Sequence, residues 1–156
     1  MTHIEPTRKE PLFIAACYGR AVERTPCWLM RQAGRYMSVY RELRGQTDFW
    51  TLCRTPELAA RVTLQPVDRF CPDAAILFSD ILVVLPAMGR QVAFAPAPIL
   101  ENPVRTAADI DSLMVPDPLA HLGFVADAIG TCRAALPPHI PLIGFAGAPL
   151  TLAAYL

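Results

Sequence analysis

Pro72-Asp73-Ala74-Ala75-Ile76-Leu77-Phe78-Ser79-Asp80 is an apolar run entered through a turn and left through a small polar pair. Its five central residues show no period-two alternation, which is how a parallel strand buried on both faces reads. The same unit occurs on either side of it. Upstream, Thr25-Pro26 opens Cys27-Trp28-Leu29-Met30, followed by Arg31-Gln32-Ala33-Gly34-Arg35 and a helical pattern over 36–43. Downstream, Pro141 opens Leu142-Ile143-Gly144-Phe145-Ala146, followed by Gly147-Ala148-Pro149 and a helical pattern over 150–156. A further helical pattern follows Asp80 over 81–88. Strand-then-helix order repeated in this way predicts an α/β fold, a parallel sheet or barrel, with its chemistry at the carboxyl ends of the strands. Arg31, Asp80 and the Gly147 turn all fall at such ends.

The segments between these units read mostly as helix. Thr55-Pro56-Glu57 supplies an N-cap, a proline at the first helical position and an acid in the first turn, and the pattern then runs toward Phe70. Pro66 is expected to kink that helix or end it early. Thr106 with Asp109 forms a capping-box start. Leu122, Val125, Ile129, Cys132 and Leu136 recur at steps of three and four, an amphipathic helix stopped by Pro137-Pro138. Residues 92–95 read as a small extra strand.

Composition removes several classes of function. The 156 residues carry 14 basic against 14 acidic groups, and 53% are hydrophobic. A neutral chain of that kind is neither a phosphate-neutralising nucleic-acid binder nor disordered. Sixteen prolines exclude a long coiled coil. The apolar stretches 74–89 and 141–156 are shorter than the roughly 20 residues of a membrane span, and the first contains Ser79 and Asp80. No apolar h-region lies between Met1 and Pro11, so the cytoplasm is the expected compartment. Cys17, Cys27, Cys53, Cys71 and Cys132 form no C-x-x-C and no metal-spaced pair, and read as reduced thiols. His3, His121 and His139 share no ligand spacing, and neither G-x-G-x-x-G nor a Walker-type loop occurs.

Charge is uneven locally. The window 20–44 holds Arg20, Arg24, Arg31, Arg35, Arg41 and Arg44 against Glu23 and Glu42. Arginine presents a planar fork suited to carboxylates and phosphates, so a cluster beside a glycine-containing loop points to an anion site. Arg31 and Arg35 are its candidate ligands; the competing reading is a surface pair bridging to Glu42 or Asp48. Asp80 lies in an apolar stretch where a lone carboxylate is costly without donors. It could equally cap the helix after it. Tyr155 reads from pattern alone as core.

The run Thr25-Pro26-Cys27-Trp28-Leu29-Met30-Arg31-Gln32-Ala33-Gly34-Arg35-Tyr36 resembles the amino-terminal signature of the uroporphyrinogen decarboxylase family. Phe78-Ser79-Asp80-Ile81-Leu82, Gly144-Phe145-Ala146-Gly147-Ala148-Pro149 with Thr151-Leu152 and Tyr155, and Thr63-Leu64-Gln65-Pro66 agree with it. The resemblance covers the chain from about Leu12 onward. It departs at Met37-Ser38-Val39, where the family usually reads Leu-Pro-Glu, at Leu150 in place of an aromatic, and at Pro86, displaced by one. It implies a (β/α)8 barrel of which 1–156 is the amino-terminal portion, holding about the first three strand–helix units of a domain that needs about 250 residues. It also implies a homodimer without cofactor or metal, acting on neither nucleic acid nor membrane. The implied reaction converts the four acetate side chains of uroporphyrinogen to methyls. On the resemblance, Asp80, Arg31 and Tyr155 are catalytic, and Arg31, Gln32, Ala33, Gly34, Arg35, Asp80 and Tyr155 bind substrate. The aspartate accepts hydrogen bonds from the pyrrole N–H groups. The isolated chain is expected to be inactive. Two rivals are a truncated, non-catalytic porphyrinogen-binding remnant and a zinc-dependent methyltransferase-type barrel.

Overall fold

In the computed structural model, which describes residues 10–30, 33–94 and 97–156, two of the three apolar runs pair as neighbouring parallel strands. Strand β1 (Ala75–Ile76) sets Ala75 opposite Leu142 and Ile76 opposite Ile143 of β4 (Leu142–Ile143). The ladder extends at both ends, from Ala75 N–H to the Pro141 carbonyl and from Leu77 N–H to the Ile143 carbonyl, each at 2.9 Å. Between them the chain forms α5 (Val84–Ala87), the antiparallel hairpin β2 (Val92–Phe94) and β3 (Pro98–Leu100), α6 (Ala107–Asp111) and α7 (Pro118–Ala135). Ahead of β1 come α1 (Leu12–Cys17), α2 (Ser38–Gln46), α3 (Phe49–Arg54) and α4 (Pro56–Phe70), and α8 (Pro149–Tyr155) follows β4.

One core lies where α4 and α7 cover these strands. Ala59, Ala60 and Val67 of α4 meet Ala75 and Leu77, with Ala128, Cys132, Leu136 and Ile140 closing the other side. The two alanines let the helix backbone approach closely, and each large apolar side chain buried here contributes about 1.5–3 kcal/mol. A second cluster joins Met37, Tyr40 and Leu43 to Leu52 and Val62. Met37, a departure from the family pattern, is therefore a buried anchor of α2.

Several boundaries differ from the sequence reading for identifiable reasons. The run 27–30 forms no regular strand. It is pinned at its first residue, where the Cys27 carbonyl accepts from Asp73 N–H (2.8 Å) and Cys27 N–H donates to the Asp73 carboxylate (2.6 Å). Leu29 and Met30 beyond it are 56% and 78% exposed, so nothing buries the outer face that a ladder would need. Helix α4 runs past Pro66 to Phe70 and stops at Cys71, whose φ of 49° is left-handed. Pro66, Val62, Thr63 and Val67 are all buried, and that packing outweighs the lost N–H bond, whose cost is about 3 kcal/mol. Helix α7 begins earlier than expected, with the Asp117 carboxylate accepting from Ala120 N–H (2.7 Å), and kinks at Leu122, the expected start. Only Val84–Ala87 of the expected helix 81–88 is helical. The extra strand at 92–94 has a partner the sequence did not show, Pro98–Leu100, with proline tolerated at the first strand position. The Thr106–Asp109 capping box is formed in full.

The described residues thus make an open portion of an α/β fold, two two-stranded sheets with covering helices, and not a closed barrel. No described helix is long and apolar enough to cross a membrane.

Asp73 holds the entry to β1. Its two oxygens receive a fork from Arg24, Nη1 to Oδ2 at 2.7 Å and Nη2 to Oδ1 at 2.5 Å, beside the Cys27 N–H bond. The Arg24 fork, opposed by desolvation and helped by the Cys27 N–H, lowers the carboxyl's pKa below its ordinary value. A depressed pKa contributes stability that is complete above the ordinary carboxylate range and lost as pH falls through the lowered value. Asp73→Asn is therefore expected to unfold at lower urea than the wild-type chain at pH 7. The gap should begin to shrink below about pH 4 and disappear only once pH falls below the lowered pKa; a gap that does not narrow as the pH falls through that window would refute the charge-based role.

Candidate functional site

The stretches that follow the two apolar runs and β4 supply the site. Parallel pairing of β1 with β4 sends Ser79-Asp80 and the Gly147 turn out of the same sheet edge, the usual place for ligand-binding loops. Arg31 and Gln32 lie outside the described residues. Ala33 and Gly34 are half-buried and Arg35 is exposed. Met37 N–H donates to the Gly34 carbonyl (3.0 Å), closing a turn. Arg41, one turn into α2, donates from Nη1 to the carbonyls of Arg35 (2.9 Å) and Tyr36 (3.1 Å).

That division of labour resolves the arginine cluster. Arg20 pairs with Glu10, Arg24 with Asp73, Arg41 with the loop carbonyls, and Arg44 with the Thr47 carbonyl. Arg35 makes no hydrogen bond or ion pair with a described residue. Asp48, its proposed surface partner, is occupied at the start of α3, accepting from Thr51 N–H (3.0 Å) and Thr51 Oγ1 (2.5 Å). Arg35 lines a cleft of 740 Å³ together with Tyr40, Arg44, Phe49 and Phe94. Phe49 and Phe94 stand 4.7 Å apart between ring centroids, with Trp50 5.3 Å from Phe94. A guanidinium without a partner among the described residues, lining one cleft with Phe49 and Phe94, suits an aromatic acid. The contribution of Arg41, Arg44, Phe49 and Phe94 was not foreseen; the arginine count signalled the first two, and nothing local signalled the aromatics.

A second, more apolar cavity of 470 Å³ lies between the strand runs, bounded by Trp28, Met30, Ala33, Ile76, Phe78 and Phe145, with Leu77 and Ser79 completing it. Ala33 belongs to both spaces. Asp80 follows Ser79 at its edge, half-buried. Its Oδ1 accepts from Leu82 N–H at 2.8 Å, an Asx turn over residues 80–82, whereas α5 begins only at Val84. The carboxylate therefore caps the turn after the strand and not the helix. Desolvation raises its pKa, opposed by the single Leu82 N–H, and no described residue forms an ion pair with it. The neighbouring Cys53 thiol is pushed up to about 12 by burial, with the Asp80 charge adding to it.

Tyr155 lies near the end of α8, 42% exposed, and lines neither cavity. The same helix reaches the site through Leu152. A Cβ on Gly147 would come 2.6 Å from Leu152 Cδ2, 2.9 Å from Leu152 Cγ and 3.2 Å from the Ile81 carbonyl oxygen. The third unit's turn is thereby pressed onto the residue that follows Asp80. Among the described residues no group of three or more His, Cys, Asp or Glu side chains is arranged to hold a metal ion.

Among the described residues, an arginine and a half-buried carboxylate without ion-pair partners, and two cavities that share Ala33, mark this part of an α/β fold as the candidate site. The model of the uroporphyrinogen decarboxylase (URO-D) family matches residues 8–156, and the chain belongs to that family. It is 58% identical over 144 residues to the uroporphyrinogen decarboxylase of Syntrophotalea carbinolica, covering 92% of this chain and 42% of that one. It is 54% identical over 149 residues to that of Chloroherpeton thalassium, covering 94% and 42%. The chain thus spans well under half the length of these curated relatives. A methyltransferase from Methanosarcina mazei superposes with a TM-score of 0.72 over 94% of this chain and 45% of its own, at 21% identity, a likeness of fold alone. The family fold is the (β/α)8 barrel that the resemblance implies, present here in part.

Two variants probe the site's construction. Asp80→Asn keeps an acceptor for Leu82 N–H and removes a charge whose pKa is raised by desolvation. A raised carboxyl pKa costs stability above the ordinary carboxylate range, so the variant should unfold at higher urea than wild type at pH 7. The difference should vanish in acid, where both are neutral; equal stability at pH 7 would contradict the desolvation cost. Gly147→Ala must displace Leu152 and strain against the Ile81 carbonyl, and is expected to cost about 1–3 kcal/mol in urea unfolding.

Proposed function

We propose that residues 1–156 are the amino-terminal portion of a single-domain uroporphyrinogen decarboxylase, and that the complete protein converts uroporphyrinogen III to coproporphyrinogen III in haem biosynthesis. The observation that carries this reading is Asp80, a half-buried carboxylate with no ion-pair partner among the described residues, at a strand end beside an apolar cavity that shares Ala33 with the cleft lined by Arg35.

Each acetate must lose CO2 from a carbon attached to a pyrrole. The electrons of the breaking C–C bond need a sink, and protonation of the ring supplies it by making a cation. CO2 leaves as those electrons neutralise the ring. A proton then adds to the former acetate carbon to give methyl, and the ring proton is released. A carboxylate in a water-poor cleft stabilises the cation far better than one in bulk water, and Asp80 also accepts from the pyrrole N–H groups. Arg35 and Arg31 bind the acidic side chains, Arg31 shares in proton transfer, and Gln32, Ala33 and Gly34 shape the loop between them. Tyr155 stands close to Asp80 once the barrel is complete. The reaction takes no cofactor, and the complete protein acts as a cytoplasmic homodimer.

The test is coproporphyrinogen formation by the full-length protein and by this chain alone. The full-length enzyme should turn over, Asp80→Asn in it should lose on the order of 10²–10³ in kcat, and residues 1–156 alone should yield no product. Full activity of the Asp80→Asn enzyme, or product from the isolated chain, would overturn the assignment.

A further inference from the structure

Thr63 is 1% exposed, on the face of α4 that meets β1. Its hydroxyl donates to the Ala59 carbonyl (2.8 Å) and accepts from Phe78 N–H (2.8 Å). The parallel ladder uses the N–H groups of Ala75 and Leu77, so the N–H of Phe78 points away from β4 and must find another acceptor. A threonine from a covering helix supplies it. The last fixed backbone group before Ser79-Asp80 is thus held by a side chain of α4, and not by a neighbouring strand.

The far side of the same segment is also fixed. Ile81 lies under the Gly147 turn, and Leu82 N–H closes onto Asp80 itself. The Phe78 ring is held edge-on by Tyr40 and Phe49, with centroids 6.0 Å and 5.9 Å away. Among these restraints the Thr63 bond is the one made to the backbone immediately before Ser79. We propose that Thr63 is a positioning residue for the decarboxylation: through Phe78 N–H it sets the exit of β1 and with it the place of the Asp80 carboxylate. The inference rests on the catalytic reading of Asp80 given above.

Removing the hydroxyl leaves both Phe78 N–H and the Ala59 carbonyl without this partner, and the exit can shift by a fraction of an ångström. Displacement of a transition-state contact on that scale lowers kcat with little effect on ground-state binding. The experiment uses the full-length enzyme, with variants assayed at a temperature where near-UV circular dichroism shows native packing. Thr63→Val, nearly isosteric, should lower kcat about tenfold with KM within about twofold. Thr63→Ser and Thr63→Ala lack the same methyl and differ only in the hydroxyl; Ser should keep close to wild-type kcat and Ala should fall with Val. That pair decides the matter if Val does not fold. Wild-type kcat in the Ala variant, or a fall shared equally by Ser and Ala, would overturn the proposal and leave Thr63 a packing residue. Asp80→Asn assayed alongside separates the two failures: a fully active Asp80→Asn enzyme refutes the reading of Asp80, whereas an inactive one with an unaffected Thr63→Ala refutes only the role of Thr63.

Discussion

Parallel pairing of two short strands distant in sequence is the constraint on which the rest of this structure depends. Because β1 and β4 run the same way, the polar residues that leave each strand emerge at one edge of the sheet. Antiparallel pairing would have sent Asp80 and the Gly147 turn to opposite ends. The pairing requires a long crossover, and α7 with its neighbours provides it, burying Cys132 and Leu136 against the strands and α4. Small residues at 59, 60, 74 and 75, all almost fully buried, are what allow helix and strands to approach closely enough to form one core.

Electrostatics follows the same economy. The arginine-rich window looks like a single basic patch in sequence, yet most of its members are consumed locally. Arg24 fixes the start of β1 through Asp73, and Arg41 ties the 34–37 turn to α2. Such internal use removes those charges from ligand binding and rigidifies the loop on which Arg35 sits. A fork on a pinned loop loses less conformational freedom on binding than one on a mobile loop, so in the proposed role of Arg35 the structural arginines would aid recognition without touching the ligand.

The apolar runs at 74–78 and 142–146 were legible because burial on both faces leaves a continuous pattern, and the start of α4 at Thr55-Pro56 and the Thr106–Asp109 capping box were legible because their chemistry is local, although the Thr55 side chain makes no capping hydrogen bond. The run at 27–30 carried an equally clear pattern and still formed no regular strand; Asp73 pins its first residue, and Leu29 and Met30 beyond it stay exposed. Pro66 gave a strong local signal that tertiary packing overrode. The candidate site was legible in Arg35 and Asp80, whose residue types are unusual for their surroundings. Thr63 and the Phe49–Phe94 wall were not, because each acts through a partner far away in sequence.

Asp80 sharpens the relation between stability and activity. Half-buried, without an ion-pair partner among the described residues and accepting from the Leu82 backbone N–H, it is a group the folded state holds at a cost, since desolvation disfavours its charged form. A solvent-exposed carboxylate would avoid that cost and would also be a poor partner for a developing cation, because water would screen it. Relaxation to such a position is opposed on both sides of the segment: by the Thr63–Phe78 bond before it and by the approach of Gly147 to Ile81 after it. A single loose contact would let the carboxylate swing toward solvent and recover its hydration. One restraint on each side of a costly group is what the proposed charge-stabilising role of Asp80 requires, and packing for its own sake would have placed an apolar residue there.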